Sequence, residues 1–243
     1  MLASNTVNES NAAMKGLHHG WMRLRHRMLL NSRRAVLAEF LGTAILIMAV
    51  VGSGIAAQRL TDDIGLQLLI NAIATVLALG VLITLFLPIS GAHFNPVVTA
   101  VMIVRRDLSA GLAVAYVVAQ VAGGALGTLL SHAMYDRSLV SAFDGDRSEP
   151  GQWLGEIIAT AGLVLVVLLA SREVVALAVP AWIGAAYFFT SSTSFANPAV
   201  TIARALTDSF SGIRWSDVPW FVLAQLLGGA IAIVLARSLK ETT

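Results

Sequence analysis

Ser90-Gly91-Ala92-His93-Phe94-Asn95-Pro96-Val97 in the first half of the chain and Ala196-Asn197-Pro198-Ala199-Val200-Thr201 in the second decide the fold. Asparagine followed by proline is a strong helix start. The Asn side chain caps orphan backbone N–H groups, and Pro fits the first helical position without losing a hydrogen bond. The apolar stretches that follow, 96–104 and 198–206, are too short to cross a bilayer, which takes about 20 residues. Each therefore reads as a re-entrant half-helix. Non-helical backbone at membrane depth survives only where protein buries it or a watery cavity lies beside it.

Outward from these motifs the chain is membrane protein throughout. Of its 243 residues, 57% are hydrophobic and 12% charged, with a mean hydropathy of +0.78. Soluble domains carry roughly 25% charged residues, and here the charges gather between long apolar runs. Six runs are long enough to span: 35–57, 66–87, 110–134, 151–171, 174–190 and 217–236. The expected fold class is all-α membrane, with six spans and two half-helices. Residues 1–34 form a basic tail, 35–135 a first repeat, 136–149 a connector and 150–243 a second repeat ending in a short tail. With no cysteine, thiol catalysis and cysteine-ligated metal are excluded. Neither a cofactor nor a metal site is expected.

Eleven basic residues (Lys15, Arg23, Arg25, Arg27, Arg33, Arg34, Arg105, Arg106, Arg172, Arg237 and Lys240) fall on one side of this topology. Five (Arg59, Arg137, Arg147, Arg204 and Arg214) fall on the other. The positive-inside rule then places both termini in the cytoplasm. The tail reads as a topogenic signal facing the lipid bilayer rather than as a nucleic-acid-binding patch, and no cleavable signal peptide is apparent.

The halves repeat in order. Ala38-Glu39-Phe40-Leu41-Gly42-Thr43 matches Gly155-Glu156-Ile157-Ile158-Ala159-Thr160, the two Asn-Pro motifs match, and Ala119-Gln120 with Gly123-Gly124 matches Ala224-Gln225 with Gly228-Gly229. Three spans per half is an odd number, so the second half is inverted and a site falls at the midplane. Two half-helix starts would meet there, each carrying roughly +0.5 of an elementary charge and so repelling cations. The Asn95 and Asn197 amides are the candidate donors to a solute. Glu39 and Glu156 sit in apolar surroundings near the start of a span, which favours bracing of the loops over proton relay. For His93, loop packing or gating fits better than metal ligation. Gly123 with Gly127, and Gly228 with Ala232, are small-residue pairs suited to close helix contact.

At these residues the sequence resembles the aquaporin family of major intrinsic proteins over roughly residues 35–237. The resemblance implies a pore in every protomer, a homotetramer, an inner-membrane location and passage of small neutral solutes. In most members an Arg follows the second Asn-Pro-Ala; here that residue is Val200. Counting from the Asn residues as the family does, the outer constriction comprises Thr75, Ala185, Ser194 and Val200. Glycerol facilitators place an Asp where Thr201 stands. Arg204 lies about one helical turn further on, a position in the motif that argues against its replacing the missing Arg. The stretch Phe188 to Thr201 resembles a bacterial branch associated with arsenicals. The expected function is passive permeation by metalloid hydroxides such as arsenite, or by glycerol, together with water. The alternatives are a general glycerol and water facilitator and a proton-coupled transporter using Glu39 or Glu156. A membrane enzyme is the weakest reading, since no nucleophile–base or metal-ligand cluster is present.

Overall fold

The computed structural model describes residues Leu2–Lys240, with side chains described from Asn31 onward. Eight helices follow in order: α1 (Leu2–Leu60), α2 (Ile64–Ser90), α3 (Pro96–Val104), α4 (Ala110–Met134), α5 (Pro150–Leu169), α6 (Val175–Phe189), α7 (Pro198–Arg204) and α8 (Val218–Lys240). The first expected span is the apolar part of α1, Asn31–Leu60. The helix itself continues back through the segment read as a tail. Arg33 and Arg34 are exposed at the start of the apolar part; the side chains of Lys15, Arg23, Arg25 and Arg27 lie outside the described residues.

Helix ends fall where the sequence places capping chemistry. Asp63 accepts from the Leu66 amide at 2.8 Å to start α2, and Ser109 from the Leu112 amide at 3.4 Å to start α4. Proline opens α3, α5 and α7. Among the described residues, five helices have the length and apolarity of a span. Against the expectation for 174–190, α6 has 15 residues, about 22 Å of helix against a core ~30 Å thick. Its apolar run is cut short by Arg172 and Glu173 at one end and by the polar run from Thr190 at the other.

Two helix pairs correspond between the halves, α1 with α4 and α5 with α8, and α1 packs as extensively on α2 as α5 does on α8. A β-carbon on Gly123 would collide with the Phe40 carbonyl oxygen, and one on Gly127 with that of Ala44. In the second half, Gly228 lies equally tight against the Ile157 carbonyl. Glycine here lets backbones touch, which is where helix association in lipid obtains its dispersion energy. The half-helices α3 and α7 fill the space between these pairs, with α3 against α4 and α8 and α7 against α4 and α8. Large apolar side chains such as Leu77, Val118, Leu177 and Val234 cover the outside. In water this surface would be a liability; against lipid it is ordinary.

Candidate pore

The loops that lead into α3 and α7 are built from the same parts. Glu39, fully buried on α1, accepts from the amides of His93 (3.0 Å) and Phe94 (2.6 Å), from Ser90 Oγ (2.6 Å) and from Gln120 Nε2 (2.8 Å). Glu156, fully buried on α5, accepts from the amides of Phe195 and Ala196 (both 2.8 Å) and from Gln225 Nε2 (2.6 Å). Each glutamine also donates to a threonine, Gln120 to Thr99 at 3.0 Å and Gln225 to Thr201 at 2.9 Å. A carboxylate with this many donors is anchored at membrane depth rather than exposed there. The glutamates brace the loops.

Bracing imposes a backbone conformation that the residue types alone disfavour. Ala92 and Phe94 have φ of 50° and 49°; Ser194 and Ala196 have 52° and 50°. Positive φ on a residue with a β-carbon is uncommon, and here it recurs one and three residues before each Asn. Loop amides are turned toward the glutamates. The carbonyls of Ala92, His93, Ser194 and Phe195 accept no hydrogen bond among the described residues, and all four residues line one cavity.

The two helix starts meet face to face. Asn95 Oδ1 caps α3 at the Val97 amide (2.9 Å), while its Nδ2 donates to the Ala196 carbonyl at 2.8 Å. Asn197 Oδ1 caps α7 at the Ala199 amide (2.9 Å), and its Nδ2 donates to the Phe94 carbonyl at 2.8 Å. An amide nitrogen has two N–H groups, so each Asn keeps one beyond this cross-link. The cavity beside them has a volume of about 660 Å³ and runs from Arg105 and Arg172 at the α3 side, past both Asn residues, to Val200 and Arg204 at the α7 side. Unspent donors and acceptors, two positive helix ends and apolar walls (Leu79, Val98, Ile183) suit a small polar uncharged solute. His93, half-buried in the same wall, has Nδ1 at 3.1 Å from Thr99 Oγ1 and its ring edge-on to Tyr116.

Residues 27–190 match the model of the family described as "Major intrinsic protein". The chain belongs to that family. It is 49% identical over 213 residues to the aquaglyceroporin AqpS of Rhizobium meliloti (strain 1021), a match covering 86% of this chain and 91% of that one. It is 31% identical over 221 residues to a probable aquaporin, TIP1-2, of Oryza sativa subsp. japonica, covering 84% and 86% respectively. Among solved structures, the aquaglyceroporin from Plasmodium falciparum shares the fold with a TM-score of 0.60 at 20% identity, covering 85% of this chain and 94% of that one. Family and fold together make this a multi-pass membrane channel of the major intrinsic protein type, a class of channels and transport proteins.

Within that frame, Thr75, Ser194 and Val200 are buried and line the cavity together. Ala185 does not join them. It lies on the exposed face of α6, so its assignment to the constriction is corrected. Tyr187 of the same helix does line it: it is buried and donates from its hydroxyl to Thr75 Oγ1 at 3.2 Å. The cause is helical phase. Val179, Ile183 and Tyr187 recur every four residues on one face, whereas Ala185, two residues from Ile183, is rotated by about 200°. That stripe was visible in the sequence; counting back from Asn197 hid it by presuming the length of the intervening loop. Arg204 is likewise in the cavity wall, buried, despite its place in the motif.

Proposed function

We propose that this protein is a passive, bidirectional channel for small neutral oxygen-bearing solutes larger than water. Metalloid hydroxides such as arsenious acid, or glycerol, would cross together with water. The observation that carries this reading is Val200: an apolar side chain stands in the cavity wall where most members of the family have a guanidinium. Removing five N–H donors and a long side chain widens the opening and makes it less polar. Likeness to an aquaglyceroporin supports the same direction. Against proton carriage by Glu39 or Glu156 stands the engagement of both carboxylates with loop amides and glutamine. The protein would sit in the inner membrane with both termini cytoplasmic, one pore per protomer of a homotetramer. Its chain would be organised as tail 1–34, first repeat 35–135, connector 136–149 and second repeat 150–243.

Proteoliposome shrinkage and swelling in water, glycerol and arsenite gradients tests the reading. Val200→Arg is expected to lower glycerol and arsenite permeability by about tenfold relative to water, the scale of a factor set by ~1.4 kcal/mol of barrier. An unchanged solute-to-water ratio would show that position 200 does not limit the pore.

A further inference from the structure

Beyond the loss at position 200, the structure carries a guanidinium into the pore wall from one turn further along α7. Arg204 lies four residues beyond Val200, so the two share a helix face about 6 Å apart along the axis. Both line the cavity, and Arg204 is only 2% exposed. No carboxylate among the described residues forms an ion pair with it. Nε donates to the Ser211 carbonyl, and the other guanidinium N–H groups have no partner among the described residues. The guanidinium carbon sits 3.4 Å from the centroid of the Phe195 ring, which fixes a planar cation by its face. Phe195 is itself held by the Glu156 brace through its amide and by Phe221 through its ring, at 5.0 Å between centroids.

A buried Arg that is stacked and unpaired by any acid is costly unless something passing the site uses it. We propose that Arg204 is a specificity-determining residue of this channel. Its free N–H groups hold solutes that present two oxygens side by side, polyols and neutral oxyacids, and its charge excludes cations at the α7-side mouth. This rests on the channel reading. Placed beyond the constriction instead of within it, the guanidinium binds the solute's oxygens without narrowing the passage at Val200. A shift of one turn would thus separate two tasks, charge selection and size selection, that an Arg at position 200 would combine.

The test is permeability of proteoliposomes containing the full chain, wild type, Arg204→Gln or Arg204→Lys, to water, glycerol and K⁺. For Arg204→Gln the glycerol-to-water ratio is expected to fall about tenfold, the scale of one charge-assisted hydrogen bond, and K⁺ permeability to rise above wild type, with the two helix ends and Arg147, over the same Phe195 ring at 5.3 Å, still opposing it. For Arg204→Lys, which keeps the charge but not the planar fork, the ratio is expected to fall while K⁺ stays excluded. Should Arg204→Gln fail to assemble, the Lys variant alone decides. Water and glycerol fluxes that fall together, with the ratio unchanged and no rise in K⁺ permeability, would overturn the proposal and leave Arg204 a structural stack on Phe195. Wild-type vesicles passing neither water nor glycerol would sink the channel reading, and this inference with it.

Discussion

The loop ending at Asn95 and the loop ending at Asn197 are built alike, yet the mouths beyond them are not. On the α3 side the half-helix ends at Arg105, which is 41% exposed and paired with Asp107 at 2.8 Å. On the α7 side it ends at Arg204, buried, stacked on Phe195 and unpaired by acid. The connector 136–149 then folds over this second mouth. Arg137 pairs with Asp208 at 2.8 Å, Arg214 with Asp146 at 2.6 Å, and Arg147 donates to the Gly212 carbonyl at 3.0 Å. Inverted repetition therefore builds the midpoint, where both halves must match. Selectivity is free to diverge at the ends, where they need not.

If the loops are equivalent, their braces are equally indispensable. Glu39→Ala and Glu156→Ala should both abolish recovery of folded channel, since each leaves several buried donors without an acceptor at about 1–3 kcal/mol apiece. Yield of monodisperse protein in detergent checks this. One variant folding normally while the other does not would break the symmetry.

The asymmetry of the mouths predicts a smaller, one-sided effect. Arg105→Gln should change the glycerol-to-water ratio by about twofold or less, because an exposed, solvent-screened pair contributes little. Arg204→Gln should change it several times more in the same vesicle assay. Equal effects would remove the distinction between the two ends.

Smallest is the effect of pH on the connector. Hydrogen bonds from Ser148, with help from Arg214, hold the exposed Asp146 carboxyl below the usual Asp range. A depressed folded-state value means the contribution is present above that range and lost as pH falls through it. The melting temperature of wild type should therefore exceed that of Asp146→Asn near neutral pH, and the gap should close as acidification passes below the depressed Asp146 value. A gap that persists would detach Asp146 from the stability of this mouth.

Much of this architecture was legible in the sequence because it rests on local chemistry. Asn-Pro before a short apolar run is a capped half-helix wherever it occurs, and Glu39, Gln120 and their repeats mark the struts. The loop conformation was not legible, because nothing in Ala92, Phe94, Ser194 or Ala196 favours positive φ; buried glutamates on other helices impose it. Tyr187 was missed because position along α6 was counted through a loop instead of read from the Val179-Ile183 stripe. Arg204 was set aside by motif position, although its i+4 relation to Val200 already placed it on the same face.

The most direct measurement of the central claim, that paired Asn-Pro helix ends enclose a passive pore, is the steady-state distribution of glycerol across proteoliposomes with and without a pH gradient. A passive pore gives accelerated equilibration to equal concentrations on both sides, at a rate the pH gradient does not alter. Accumulation of glycerol against its own gradient when protons flow would contradict it.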